Sequence, residues 1–428
     1  MSLGSPPQVA PSAGDNVPAR VPGRSIAAFL AAYLGAYLIL VVPVASTLAI
    51  KVADVQPEGR EAALGIVAAI GAFIAIVANP VFGALSDRTT SRFGMRRPWV
   101  LGGAIGGIVT ITVLATAGDI VTVGIAWAGV QLSMNAVLAG LAAFLPDQVP
   151  EQQRAKVSAL AGIAQQFAPL IGLIVANIAL AIGFGTPGMF LVPSSIGLVL
   201  IVIYVATAND RVLASENADR FSFMSLVRAF SFNPKQNPDF GWAWLGRFLI
   251  ILSFSFGTTY QVYFLNARFG IPIEEVIFVQ LGLVLLSSVM LTVSATISGI
   301  LSDKLKRRKI FVFISSGLVA LSSLITAFSF DLWVYVIAAG IAGLAIGAYF
   351  AVDLALVTEV LPDIESAAAK DMGIFNIANA LPQSLAPAIA PVLLAVGGVT
   401  DNYIALFLGA AVFAILGAIT VLPIKKVR

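Results

Sequence analysis

The chain has 428 residues, 59% hydrophobic and 11% charged, with a formal net charge of +3 and neither histidine nor cysteine. A mean hydropathy of +0.95 excludes a soluble globular protein, in which about a quarter of residues are charged. Recurrent apolar runs long enough to cross a bilayer must be helical, since each unpaired backbone group in lipid costs several kcal/mol, and without His or Cys any proton must ride on a carboxylate.

Residues 1–24 read as a disordered tail, rich in Pro, Ser, Gly and Ala. Arg24 precedes an apolar stretch from Ser25 to Ile50, about twice the length of a signal-peptide core, so this stretch is read as the first span. Spans are expected over 25–50, 62–85, 98–117, 120–145, 157–183 and 188–207, a first bundle covering 25–207. A cytoplasmic linker over 208–240 leads to spans at 241–265, 274–300, 310–329, 332–361, 371–397 and 401–423, a second bundle over 241–423 followed by a basic tail at 424–428. The expected fold is an all-α integral membrane protein, twelve transmembrane helices in two six-helix pseudo-symmetric halves.

Most cations fall on the even-numbered connections, notably Arg88 to Arg97 and Lys304 to Lys309, whereas the other side receives Lys51, Arg60 and Arg268. That asymmetry predicts a multi-pass protein of a bacterial plasma membrane with both termini cytoplasmic. An internal duplication supports the two halves. "GALSDR" starts at Gly83 and "GILSDK" at Gly299; "FLPD" ends at Asp147 and "VLPD" at Asp363, and both pairs are offset by 216. "QQFAP" from Gln165 and "QSLAP" from Gln383 are offset by 218. Parallel six-helix repeats suit a transporter with its substrate at midplane between them.

Gly83 and Gly299 are expected to allow close helix approach. Asp87 and Asp303 can cap a neighbouring helix N-terminus or pair with a loop arginine, either as plain caps or as a latch that favours one access state. The paired G-x-x-S-D-R loops resemble the cytoplasmic loop motif of the major facilitator superfamily. Within them "SDRTTSRFGMRRPWV" is similar to the loop of the sucrose/proton symporters and their relatives, a group neighbouring the glycoside-pentoside-hexuronide:cation symporters; Met95 replaces one arginine of that pattern. The resemblance implies a cytoplasmic gate made of Gly83, Asp87, Arg88, Arg92, Gly94, Arg96, Arg97, Gly299 and Asp303.

The same resemblance places a substrate cavity on helices 1, 4, 7 and 10. Tyr33 and Tyr37, Gln131 and Asn135, and Tyr349 and Asp353 each stand four apart on one helical face. Gln165 and Gln166 on helix 5, with Asn376, Asn379 and Gln383 on helix 11, extend the set. Amides and phenols suit an uncharged polyhydroxylated ligand, or they simply bond helix to helix. Asp353 lies about 12 Å inside its helix, at 1.5 Å per residue, and Arg247 can meet it at similar depth, so this pair is the expected proton-coupling device. The helix 4 carboxylate that takes the proton in the sucrose symporters aligns with Gln131, their nearby arginine with Ala142, and no acidic residue is expected on helices 1, 2, 4 or 5.

The expected function is H+-coupled uptake of a sugar or glycoside by alternating access. The alternatives are proton-driven export of drugs or metabolites, facilitative uniport, or a sensor or scaffold without flux. No enzyme activity is expected, since His, Cys and a nucleotide-binding loop are missing. No cofactor is expected beyond H+ or Na+ as coupling ion. The expected partners are a small-molecule substrate and the lipid bilayer, with no nucleic acid and no need for more than a monomer.

Overall fold

The computed structural model describes residues 20–208, 210, 237–360, 368–399, 401–425 and 427. Its helices are α1 (Gly23–Val55), α2 (Arg60–Ser86), α3 (Arg97–Thr116), α4 (Ile120–Gln148), α5 (Glu151–Ala181), α6 (Gly185–Thr207), α7 (Pro238–Phe269), α8 (Val276–Leu305), α9 (Arg308–Ala327), α10 (Leu332–Val360), α11 (Ala368–Leu394) and α12 (Tyr403–Ile419). Eleven are long and apolar enough to cross a membrane, and α12 is a shorter apolar helix of 17 residues. The described residues contain no strand.

Several helices start earlier than hydropathy predicts, α5 and α2 among them. Pro150 precedes α5, which takes Glu151 into its first turn and carries Arg154 and Lys156. Gly59, at φ +67°, turns the chain into α2, whose first turn holds Arg60 and Glu61. Both starts follow the usual helix signals, a preceding Pro or Gly and an acidic first turn, which a hydropathy threshold ignores. The expectation that helices 1, 2, 4 and 5 bear no acid is thereby corrected: α2 holds Glu61 and α5 Glu151, while α1 runs on to include Asp54 and α4 to include Asp147. Within α1, Pro43 opens a π turn over Pro43–Thr47, where Leu48 N–H reaches back to Pro43 O. Such a bulge perturbs the regular backbone ladder, and the Ala45 carbonyl accepts instead from Gln280 Nε2 of α8 at 3.0 Å.

Helix pairing repeats with a shift of six. In the first half α1 packs on α5 and α6, α2 on α4, and α3 on α4 and α6; in the second α7 packs on α11 and α12, α8 on α10, and α9 on α10 and α12. The two most extensive contacts between halves, α2 with α11 and α5 with α8, exchange under the same shift, and α1 also meets α7 and α8. Glycine sets the closest approach at equivalent places. A Cβ on Gly35 would stand 2.5 Å from Gly197 O where α1 meets α6, and one on Gly246 would stand 2.5 Å from Thr420 Oγ1 where α7 meets α12.

One apolar core runs through the first half and crosses into the second through Tyr260, Phe264, Ala386, Ala390 and Leu406. A separate core, including Phe240, Val312, Tyr349, Val357 and Phe375, stays within the second half. The halves are thus joined at the end formed by the C-terminus of α1, the N-terminus of α2 and the C-terminus of α7. Tyr263 Oη donates to Ala49 O at 2.8 Å, Tyr260 Oη to Pro387 O within its half at 3.1 Å and to Glu61 O across the halves at 3.2 Å, and Asn177 Nδ2 to Ile277 O at 3.3 Å. Among the described residues, the hydrogen bonds between halves gather at this far end. At the arginine-bearing end, by contrast, no hydrogen bond or ion pair joins the halves among the described residues.

Candidate functional site

At the arginine-bearing end the loop from α2 to α3 is organised by Arg96. Its Nη2 lies 2.5 Å from Asp87 Oδ1 and 3.1 Å from Asp147 Oδ2, its Nε donates to Asp147 Oδ2 at 3.2 Å, and its Nη1 donates to Ser86 Oγ at 2.6 Å. The guanidinium side chain is 11% exposed while Asp87 is 56% exposed, so Arg96 is the fixed centre and Asp87 a peripheral partner. Of the two expectations for Asp87, pairing with a loop arginine is the one observed. The N-terminus of α3 is capped by Asp210, whose Oδ2 accepts from Arg96 N at 2.7 Å and Arg97 N at 2.8 Å. Arg97 Nε donates to Val205 O at 2.8 Å, and Arg88 Nη1 to Ala84 O at 2.7 Å. Arg92 lies over the adjacent Phe93 ring. Gly94 adopts φ +103°, and a Cβ there would fall 2.2 Å from Asp210 Oδ2, which explains glycine at this position of the loop.

The second half repeats the scheme with other residues. Arg308 reaches Asp303 at 3.9 Å and Glu359 at 2.9 Å and donates to the Ala355 carbonyl. Asp363, the repeat partner of Asp147, lies outside the described residues. Gly83 and Gly299 have no neighbouring atom within 4 Å of a built Cβ. The close approach expected at these glycines is therefore not made among the described residues.

Deeper in the bundle, Arg247 of α7 meets Asp353 of α10, Nη1 to Oδ2 at 2.6 Å. Asp353 is 2% exposed, and the guanidinium lies 4.6 Å from the Phe375 ring centre and 5.5 Å from that of Phe350. Tyr349, one turn before Asp353, is fully buried. The sequence thus located both partners and their depth; the aromatic walls were not foreseen. In a low-dielectric surrounding such a pair persists only with good geometry, and protonating the carboxylate removes the charge that holds Arg247.

The neutral candidates fall into separate groups. Tyr33 and Tyr37 are half-buried and their rings stand 5.1 Å apart, continuing through Phe29 to Phe144 as an aromatic ladder. Gln131 and Asn135 are buried in the seam between α4 and α2, where Asn135 Nδ2 donates to Gln131 O at 2.8 Å and Asn79 Nδ2 donates to Asn135 Oδ1 at 3.4 Å. Asn79 of α2 was not singled out by sequence, although an amide beside Pro80 in an apolar run is a visible signal. Gln165 and Gln166 are exposed on α5. On α11, Gln383 is exposed and donates to Asn379 O at 2.9 Å; the side chain of Asn376 lies outside the described residues. Of the neutral candidates Tyr349 is hydrogen-bonded to Asp353; no hydrogen bond among the described residues links Tyr33, Tyr37, Gln131, Asn135, Gln165, Asn379 or Gln383 to Arg247 or Asp353.

Sequence reasoning also missed the far-end cluster of Arg60, Glu61, Asn266, Tyr260 and Tyr403. A cleft of about 410 Å³ lies beside it, lined by Arg268, Phe330, Asp401 and Tyr403 among others, but Arg268 is about 30 Å along α7 from Arg247 at 1.5 Å per residue. Among the described residues no group of three His, Cys, Asp or Glu could hold a metal ion.

A family model described as Major Facilitator Superfamily matches residues 24–293 and again 243–428. No curated protein matches the chain. Among solved structures, the chain resembles a mutant form of the nucleoside transporter NupG, with 13% identity, a TM-score of 0.71, and 94% of this chain and 98% of that one covered. It also resembles a bacterial homologue of the human lysosomal transporter Spinster, in an inward-facing and unoccupied conformation, with 14% identity, a TM-score of 0.67, and the same coverage of 94% and 98%.

Proposed function

The chain is a member of the major facilitator superfamily, and on that premise we propose that it takes up a sugar or glycoside together with protons, by alternating access between its two halves. The observation that carries this reading is the buried Arg247–Asp353 pair. A charged residue deep in a span costs roughly 2.5–3.5 kcal/mol on insertion scales, so it persists where it serves transport. With Asp353 ionised the pair is neutral overall; with Asp353 protonated, Arg247 is released toward the cavity. Proton and cargo can each bias that two-state element. One proton moving through 100 mV supplies about 2.3 kcal/mol, enough for roughly forty-fold accumulation.

Tyr33, Tyr37, Gln131, Asn135, Gln165, Tyr349, Asn376, Asn379 and Gln383 supply the donors, acceptors and ring faces that hydroxyl groups require. The cation asymmetry supports a cytoplasmic arginine-bearing end and cytoplasmic termini, and the gathering of inter-half bonds at the far end supports a state open inward from a plasma membrane. Uptake into proteoliposomes of neutral sugars, glycosides and nucleosides, the last being N-glycosides, tests the reading under an imposed pH or Na+ gradient. Accumulation that follows the pH gradient is expected. Accumulation with Na+ alone, net export, or equilibration indifferent to either gradient contradicts it.

A further inference from the structure

The cycle proposed above gives no part to the charges of the far end, yet one of them is buried between the halves. Glu61, 9% exposed in the first turn of α2, accepts at Oε1 from Tyr403 Oη of α12 at 3.3 Å and from its neighbour Arg60 Nε at 3.2 Å. Arg60 Nη2 donates to Asn266 Oδ1 of α7 at 2.8 Å, and its guanidinium lies 4.8 Å from the Tyr263 ring centre. The Glu61 carbonyl accepts from Tyr260. One short segment of the first half therefore grips two helices of the second.

The ion pairs at the other end differ in kind. Arg96 binds Asp87 and Asp147 within the first half, and Arg308 binds Asp303 and Glu359 within the second. Rigid-body rocking of one half against the other can leave those pairs intact. It cannot leave Tyr403 on Glu61 or Asn266 on Arg60. An ionised acceptor makes the stronger hydrogen bond, so the carboxylate charge strengthens a contact that opening must break.

We infer that Glu61 is the locking residue of the far end, its charge holding α7 and α12 against α2 while the arginine-bearing end is open. The inference needs only alternating access and stands whichever cargo or ion is carried. The chain contains no cysteine, so spin labels on E58C and V399C, exposed far-end positions on opposite halves, meet no competing thiol. Electron–electron distance measurements in nanodiscs should show a dominant short distance. E61Q, which removes the acceptor's charge, and Y403F, which removes the donor, should each raise the ratio of long to short distances about tenfold, and the double variant should exceed E61Q little. Distributions superimposable on the parent, or a shift in E61Q with none in Y403F, overturn the assignment. Should E61Q fail to fold, Y403F, which deletes one oxygen, decides alone: a rise in the ratio of about tenfold supports the assignment, and a distribution superimposable on the parent overturns it.

Discussion

The two ends of the bundle use charge in opposite ways. The arginine-bearing end concentrates cations, yet among the described residues its ion pairs stay inside each half and no bond joins the halves there. The far end has few cations, and it is closed by tyrosines and amides that donate to backbone carbonyls and one carboxylate across the interface, and by Arg60 donating to the Asn266 amide oxygen. Charge density therefore reports which side of the membrane an end occupies, while closure depends on short, directed bonds between halves. The loop arginines act first as internal struts. In the proposed cycle they gate by keeping each half rigid as it moves.

That contrast can be broken most severely at Arg96. Arg96→Gln removes the centre of the loop and strands the buried edge of Asp147, so it should destabilise the protein by about 3 kcal/mol and depress uptake at least tenfold. Arg92→Gln, a few residues away and resting, among the described residues, on the Phe93 ring, should stay within about 0.5 kcal/mol. Thermal unfolding in detergent and initial uptake rates compare the two; equal losses would show that the cations act by number alone. Next in size is Gly94→Ala, where a positive φ and the Asp210 carboxylate both oppose a side chain; about 2 kcal/mol of destabilisation is expected in the same unfolding assay.

Asp87→Asn should be milder. Its pair with Arg96 is largely exposed on the carboxylate side, so about 1 kcal/mol at most is at stake, slowing transport several-fold with substrate binding kept within a few-fold. Loss of binding with unchanged exchange rates would contradict a gating role. The smallest stability effect belongs to Gly83→Ala and Gly299→Ala, each within about 0.5 kcal/mol because a Cβ meets open space. If these glycines serve close approach in the alternate state, turnover in counterflow should fall even though unfolding does not move; unchanged turnover would confine them to capping.

Much of this architecture was legible in the sequence because hydropathy and repetition both report it. The apolar runs located the spans, and the 216-residue offset foretold the pairing of helices that recurs six helices on. Arg247 and Asp353 stood out as charges in apolar helices, which is a signal in itself. The far-end cluster was not legible for the same reason reversed: Glu61 sits one residue outside the apolar run that begins at 62, where a carboxylate looks like ordinary loop surface. Tyr260 and Tyr403 look like membrane-interface aromatics, and only the approach of the two halves turns them into donors. Asp210 was hidden differently, since a cap contributed from 114 residues away has no local pattern.

The reading of Asp353 as the proton carrier is tested most directly by measuring counterflow and pH-driven uptake side by side in proteoliposomes containing Asp353→Asn. The amide keeps a hydrogen-bonding group beside Arg247 but cannot take up or release the proton. Downhill exchange of the cargo should persist within a few-fold while accumulation under an imposed pH gradient is abolished. If Asp353→Asn still concentrates cargo when the pH gradient is applied, the proton does not travel on this carboxylate.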